Sequence, residues 1–327
     1  LVRRVAIVGC GLVGAKRARA LGDSRLVAVA DNDPARARGL AEQVPGCVAE
    51  KDWRAAATRP DVEVVIVATT HDSLAPVALA AAEAGKHVLV EKPAARRPSE
   101  LAPLLAAARE RGVVVRVGFN HRFHPALRQA RALLEGGELG PLMYIRARYG
   151  HGGRAGYDRE WRARPEVSGG GELLDQGIHL IDLARWFGGD FAFAAGHAGT
   201  FFWEMPVEDN AFVLLKTKVG QVAWLHASWT EWKNLFSFEV FARHGKLQVD
   251  GLGGSYGVER LTHHRMLPEM GPPETTGWEY PGEDSSWHDE YASFVEATRG
   301  RATANATLED AAAALAIVQA AYGRGTA

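Results

Sequence analysis

Cysteine is nearly absent from this chain. Cys10 and Cys47 are the two in 327 residues, and they form neither a CxxC pair nor a dense framework. Structural disulfides and a cysteine-ligated zinc site are therefore not expected, and the usage fits a reducing cytoplasm. Long apolar runs are missing too: none approaches the roughly 18 uninterrupted residues that a membrane-spanning helix needs. The opening LVRRVAIVGCG has arginines and a short apolar run, but glycine punctuates it early. It reads as a strand rather than a signal peptide. An excess of one charge is also lacking, with 38 Lys and Arg against 39 Asp and Glu. Such a balance creates no general field for nucleic acid or an anionic membrane, and no reader motif is present, so neither is an expected partner. No fixed-period repeat occurs.

What the chain does contain is enough for two domains, taking roughly 100–200 residues for each. The first third alternates short apolar runs with alanine-rich amphipathic segments. The runs 5–8, 26–30, 62–68, 88–90 and 113–117 are rich in Val and Ile and apolar on both faces, as buried parallel strands are. The segments 35–43, 74–84 and 100–111 read as helices. Asp33-Pro34 supplies an N-cap followed by proline at the first helical position, and Gly85 and Gly112 stand where C-caps belong. This alternation predicts a doubly wound parallel sheet. The pattern changes near Phe119. Runs at 143–149, 211–218, 222–230 and 236–243 alternate and carry aromatics, predicting antiparallel strands with one open face. A helix is expected over 172–187, a loop over 251–282, and closing helices over 286–299 and 308–322. The expected division is a nucleotide-binding domain over 1–119 and a substrate-binding and oligomerisation domain over 120–327.

The sequence Gly9-Cys10-Gly11-Leu12-Val13-Gly14 follows the first strand and opens a helix. The first glycine allows the tight turn, the second lets the backbone approach a pyrophosphate, and the third permits close helix–strand packing. Helix N–H groups and the dipole then favour phosphate, with Leu12 and Val13 in the first turn. Asp31 ends the second strand, 20 residues past Gly11, where a carboxylate can accept from both adenosine ribose hydroxyls. A 2′-phosphate would be repelled by Asp31, and Asn32 rather than arginine comes next. These features favour NAD over NADP, although Arg36 and Arg38 keep NADP as the alternative.

Two clusters carry candidate chemistry. Glu91-Lys92-Pro93 follows a predicted strand, beyond the carboxyl end where ligands bind in such sheets. Lys92 there can reach the nicotinamide end of a cofactor, and Pro93 is a candidate cis-proline. The second cluster is GGGELLDQGIHLID at 169–182. Asp175, His179 and Asp182, spaced by four and three, fall on one helical stripe. A histidine bracketed by two carboxylates can move a proton near neutrality. The alternatives are a histidine satisfied within a polar face, or a metal site for which no third ligand stands out.

These clusters, in this order, make the sequence resemble the glucose–fructose oxidoreductase, inositol dehydrogenase and rhizopine-catabolism family (Gfo/Idh/MocA) over essentially its whole length. The resemblance is carried by GCGLVG, by AAEAGKHVLVEKP at 81–93, by VGFNHRF at 117–123 and by GGGELLDQGIHLIDLARW at 169–186. It implies an α/β fold: a Rossmann domain with a doubly wound parallel sheet, plus an α/β domain with a large open, mostly antiparallel sheet. It also implies catalytic Lys92, Asp175 and His179. The loop Thr69-Thr70-His71-Asp72 departs from the Thr-Pro-Asn pattern of similar proteins. Thr69, His71, Glu91 and Lys92 join the glycine loop, Asp31 and Asn32 as the expected cofactor contacts.

The expected reaction moves a hydride between nicotinamide and a ring secondary alcohol of a sugar or cyclitol. Lys92, Asp175, His179, Asn120, Arg122, Tyr149, Arg154 and Trp161 are expected to contact the substrate. Between 146 and 164 lie six arginines, at 146, 148, 154, 159, 162 and 164, against only Asp158 and Glu160 in the same stretch. Arginine forks bind phosphate or carboxylate, so a sugar phosphate, a nucleotide sugar or a uronic acid is an alternative substrate, and a solvated loop or a subunit contact is the plainer reading. Trp203, Trp224, Trp229 and Trp232 read as strand residues that cover an oligomer interface or fill a core; a homodimer or homotetramer is expected. A non-catalytic NAD-binding sensor or regulatory subunit is the third reading.

Overall fold

Valine and isoleucine dominate the first strands because β-branched side chains suit a pleated, fully buried surface. In this computed structural model, which describes residues 3–323, they form a parallel sheet. Its strands are β1 (Arg4–Val8), β2 (Arg25–Ala30), β3 (Val48–Glu50), β4 (Val64–Val67), β5 (His87–Glu91) and β6 (Val115–Gly118), in the order β3-β2-β1-β4-β5-β6. That is the doubly wound order whose topological switch lies between β1 and β4. The helices α1 (Leu12–Arg19), α2 (Pro34–Ala41), α3 (Trp53–Ala57), α4 (His71–Glu83) and α5 (Ala102–Arg111) follow their strands. Val5, Ile7, Val29, Ile66 and Leu89 lie in the core with Tyr291 and Phe294. Each such aliphatic contributes about 1.5–3 kcal/mol by burial. The expected cap at Asp33 forms, its carboxylate accepting from Ala35 N. Gly85 and Gly112 take the left-handed conformation, at φ 75° and 63°.

Among the described residues, the first unit comprises 3–119 with 166–169 and 287–315; the second comprises 120–165, 170–286 and 316–323. The second unit is therefore discontinuous in sequence. Its helices are α6 (Pro125–Glu135) and α8 (Ile178–Gly188); the single turn α7 (Pro165–Ser168) falls largely in the first unit, as does α9 (Ser286–Ala297). The last helix, α10 (Leu308–Ala321), is divided between the two groupings at residue 315.

The second unit is built on β7 (Leu142–Gly150), β8 (Phe191–Gly199), β9 (Asn210–Thr217), β10 (Val222–Ser228), β11 (Leu235–Ala242), β12 (Gly245–Asp250), β13 (Glu259–Arg265) and β14 (Glu274–Tyr280). Among the described residues their order is β14-β13-β12-β11-β7-β10-β9-β8, antiparallel except for the parallel pair β7 and β10. Pleating sends Ile145, Ala147 and Tyr149 to the buried side of β7, and Tyr144, Arg146 and Arg148 to the other. On that open face Arg146 is paired with Trp224 and Glu239, and Trp224 with Leu214.

Two expectations about this unit need correction. The stretch 251–282 is not all loop: β13 and β14 lie in it. β14 is an edge strand with most residues exposed, so no buried alternation marks it. The tryptophans are not all in strands. Trp224 is; Trp229 follows β10 and is fully buried; Trp203 and Trp232 stand in bends. Trp232 is exposed with a positive φ of 53°, a conformation that no strand contains. The segments 191–199, 245–250 and 125–135, which carried no expectation, form β8, β12 and α6.

Candidate active site

In the first unit the glycine loop can be read atom by atom. Gly9 has φ 96°, and a Cβ there would fall 2.3 Å from Ala68 O on the chain leaving β4. A Cβ on Gly14 would fall 1.9 Å from Gly9 O, so α1 can pack this closely only without one. Gly11 is different: the nearest atom to a Cβ there is Arg36 Nη1 at 4.0 Å. The bareness of Gly11 thus serves no internal packing and leaves backbone N–H groups open to an approaching group. Asp31 stands at the end of β2, accepting from Cys10 N at 2.6 Å and Asp33 N at 2.8 Å. Each carboxylate oxygen carries a further lone pair for a ribose hydroxyl. A cradle of this form fits the phosphates and ribose of a dinucleotide. Burial pushes the Cys10 thiol up to about 12, with Asp31 adding to the shift, so this cysteine stays neutral inside the loop.

Lys92 follows β5 directly, and the Lys92–Pro93 peptide is cis. Thr70 caps α4 by position, with its hydroxyl on Asp72 at 2.6 Å, and Thr69 Oγ1 donates to Thr70 O. His71 is buried in the first turn of α4, its Nδ1 2.8 Å from Ser168 O. Glu91 takes a role that the sequence did not reveal. Its carboxylate lies in the interior against Arg17, 2.6 Å from Nε, because the last side chain of β5 points back toward α1.

In the second unit residues 172–188 are helical, with one turn of π-helix (Leu173–Gly177) that runs into α8. Such turns occur often at functional sites because the extra residue re-aims the side chains around it. Glu208 secures its start, accepting from Gly171 N and Leu173 N, both at 3.0 Å, and from the Tyr322 hydroxyl at 2.6 Å. Burial pushes the Glu208 carboxyl up, and the tyrosine and backbone donors oppose it. Gly171 leaves room for this contact, since a Cβ would fall 2.0 Å from Glu208 O.

His179 is buried in the first turn of α8. Its ring stacks on His121, with centroids 3.8 Å apart and planes inclined by 19°. Tyr149 is set edge-on to both rings, and Phe236 makes edge contacts with His121 and Tyr149. His121 Nδ1 lies 3.2 Å from Asn120 Oδ1, and Asn120 Nδ2 donates to Ser286 Oγ at 2.8 Å. Tyr256 packs against Tyr149 and accepts from Gln176 Nε2. Burial, with Tyr256 close by, raises the Tyr149 phenol well above its ordinary value, so it remains a donor.

The carboxylates of the expected stripe are each drawn to an arginine. Asp175 accepts from Arg162 Nε at 2.8 Å. Asp182 is gripped by Arg122 through Nε at 2.8 Å and Nη2 at 2.6 Å, both residues being buried. Arg122, expected to contact substrate, thus braces α8. Burial opposes the Arg162 charge, but Asp175 and its other acidic neighbours more than offset this and raise its pKa. The arginine segment is likewise not a field of open cations. Glu239, from β11, accepts from Arg146 through two nitrogens, and Arg154 pairs with Glu160 at 2.6 Å. Partners from distant strands and helices could not be read from the segment alone. Trp161 stacks on Arg162, 4.6 Å from centroid to guanidinium carbon. His121, Tyr256, Arg162 and Glu208 were not among the expected site residues; the signals were His121 within NHRF, beside Asn120, and Arg162 within the arginine-rich segment.

Residues 3–119 match a family described as oxidoreductases with an NAD-binding Rossmann fold, and residues 127–248 match the GFO/IDH/MocA C-terminal domain. Levoglucosan dehydrogenase of Pseudarthrobacter phenanthrenivorans is 34% identical over 171 residues, 52% of this chain and 44% of its own length. The matched stretch therefore spans less than half of that relative. D-glucoside 3-dehydrogenase of Escherichia coli is 31% identical over 69% of this chain and 70% of its own length. Among solved structures, GenD2 from gentamicin A biosynthesis, in complex with NAD, superposes with a TM-score of 0.84. It is 27% identical, and the match covers 99% of this chain and 94% of that one.

Proposed function

From the premise that this chain belongs to the Gfo/Idh/MocA oxidoreductase family, we propose that it is an NAD-dependent dehydrogenase acting on a ring secondary alcohol of a sugar or cyclitol. The observation that carries the reading is His179: a buried imidazole held face-on by His121, one turn beyond Asp175, in a region with a donor tyrosine. An imidazole so fixed can take a proton at one ring nitrogen and return it, which suits general acid–base chemistry.

In this reading His179 takes the proton of the reacting hydroxyl. Lys92 donates a hydrogen bond to the same oxygen and stabilises its developing negative charge. Asp175, held by Arg162, orients a neighbouring hydroxyl of the ring, and Tyr149 supplies a further donor. The glycine loop binds the cofactor phosphates through backbone N–H groups, and Asp31 accepts from the adenosine ribose. Bound NAD supplies the hydride acceptor. The names of the relatives, a levoglucosan and a D-glucoside dehydrogenase, support a carbohydrate substrate. A phosphorylated or nucleotide-linked substrate has less support, because Arg146, Arg154 and Arg162 already face carboxylates. The exposed Tyr144, Leu214 and Trp224 on the open sheet face support a homodimer or homotetramer. Among the described residues no helix is long and apolar enough to cross a membrane.

The test is a panel of free sugars, glycosides, inositols and nucleotide sugars, assayed with NAD and with NADP. Turnover of a sugar or cyclitol with NAD is expected. Saturable NADH binding without turnover of any panel member would instead favour a sensor.

A further inference from the structure

Arg17 has no part in the reading above, yet it is almost wholly enclosed, at 1% exposure. It lies on α1, the helix that the glycine loop opens. Its Nε donates to Glu91 Oε1 at 2.6 Å, and its Nη2 lies 2.5 Å from the same oxygen. Its Nη1 donates to Oε2 of Glu290, on α9, at 2.6 Å. The Trp287 ring covers the guanidinium, 4.5 Å from its carbon. Gly118, partnered with Glu91 across β5 and β6, leaves the space: a Cβ there would fall 2.7 Å from Arg17 Nη2 and 3.1 Å from both Glu91 carboxylate oxygens.

Burying one guanidinium with two carboxylates is a poor way to stabilise a fold, because well-packed apolar residues of similar volume generally do as well or better. An apolar side chain cannot, however, fix direction as a charged, planar donor does. Here the direction fixed is that of Glu91, the last residue of β5, directly before Lys92.

We propose that Arg17 is a positioning residue for Lys92: it ties the cofactor-binding helix to the end of the strand that presents the lysine. The phosphate-binding loop opens α1, α1 carries Arg17, Arg17 holds Glu91, and Glu91 is bonded to Lys92. One buried contact thus adds to the sheet pairing of β5 a direct link from the helix behind the phosphate loop to the strand end that carries the lysine. The proposal rests on the reading of Lys92 as the group that binds the reacting oxygen. It assigns Glu91 to this linkage, in place of the expected cofactor contact.

The experiment compares Arg17→Met, Arg17→Lys and the milder Glu91→Gln with Lys92→Met. NADH affinity is read by nucleotide fluorescence. Turnover is read with NAD and whichever of levoglucosan, myo-inositol and a methyl glucoside the unaltered enzyme oxidises fastest. Arg17→Met is expected to lower kcat about ten- to a hundredfold, as misplacement by an ångström can. KM and the NADH dissociation constant should stay nearly unchanged, and Arg17→Lys should recover part of the loss. In the Lys92→Met background Arg17→Met should cost nothing more, because two residues acting through one contact are not additive. Glu91→Gln, which preserves shape, should show the same pattern at smaller size and serves if Arg17→Met does not fold. Equal losses from Arg17→Met with and without Lys92, or a loss confined to NADH affinity, would overturn the proposal. An inactive Lys92→Met beside a fully active Arg17→Met overturns it alone. A fully active Lys92→Met overturns the reading of Lys92 as well.

Discussion

The glycine loop of the first unit and the π-turn leading to His179 in the second reach their geometry by opposite means. In the loop the backbone is the functional surface. What matters at Gly9 and Gly14 is the absence of a side chain, and the contacts that forbid one come from nearby backbone: Ala68 O just past β4, and Gly9 O within the loop itself. In the proposed site around His179 the side chains would be the working surface, and each is held by another side chain: His179 by His121 and Asp182 by Arg122, both about 60 positions away, and Asp175 by Arg162, 13 positions away. A site made of backbone depends on space; a site made of side chains depends on partners. The first is robust to changes at exposed positions and intolerant of one methyl group. The second is intolerant of losing either member of a pair.

Substitution can break this comparison. The largest effect is expected for His179→Ala, with turnover falling about 10²- to 10⁴-fold, the range of general acid–base catalysis. NADH affinity should be retained; steady-state kinetics beside fluorescence titration reads both, and near-normal turnover would remove His179 from the chemistry. Next comes Gly14→Ala. Its methyl would meet Gly9 O at 1.9 Å, and overpacking of this kind costs about 1–3 kcal/mol. A lower melting temperature and weak NADH binding are expected. Leu12→Ala, on an exposed side chain of the same loop, should stay within roughly 0.5 kcal/mol; an equal loss at both positions would refute the claim that space decides.

Asp31→Ser follows in size. Hydrogen bonds to a charged group are worth about 1.5–3 kcal/mol, so the ratio of NAD to NADP efficiency should drop by about tenfold or more. An unchanged ratio would place the ribose elsewhere. The smallest effect concerns His151, which accepts from Gly153 N through Nδ1. Burial lowers its pKa, with nearby Asp175 acting against that shift. A folded-state pKa below the unfolded value of roughly 6.5 means that the unfolded chain binds the proton more readily. The stability contributed by His151 is therefore full above that pH and is lost as pH falls below it. The melting temperature of the unaltered protein should fall between pH 7.5 and 5.5, and His151→Asn should show a shallower fall. His87 and His226 carry shifts of the same sign and will keep part of the slope.

The parallel sheet was legible, except for the short and partly exposed edge strand β3, because strands buried on both faces must be continuously apolar, and the glycine loop because its constraints lie within a few residues. The larger sheet was legible only in its middle. β7, β9, β10 and β11 have neighbours on both sides and alternate clearly. β8 and β14 are edges, and with a partner on one side only they need little apolar surface. β12 did carry a signal, the buried Leu247 and Val249 alternating with polar residues, as did α6 with Pro125 in its first turn. In the candidate site, Lys92, Asp175 and His179 could be named from motif and spacing, but the partners of Asp175 and Asp182 could not. Helical spacing shows which residues share a face, and says nothing of what the rest of the chain brings to it.

By itself the sequence determined the backbone-built part of this protein: the alternation of buried strands and helices, the dinucleotide loop and the carboxylate at the end of β2. Local sterics and short-range periodicity suffice for these. Only the tertiary structure decided which arginine neutralises which carboxylate, that His179 rests on His121, and that Arg17 lies in the interior with Glu91 and Glu290. Those pairings join residues separated by up to 273 positions, and a contact over such a separation is selected by the packing of whole elements, which no local pattern encodes.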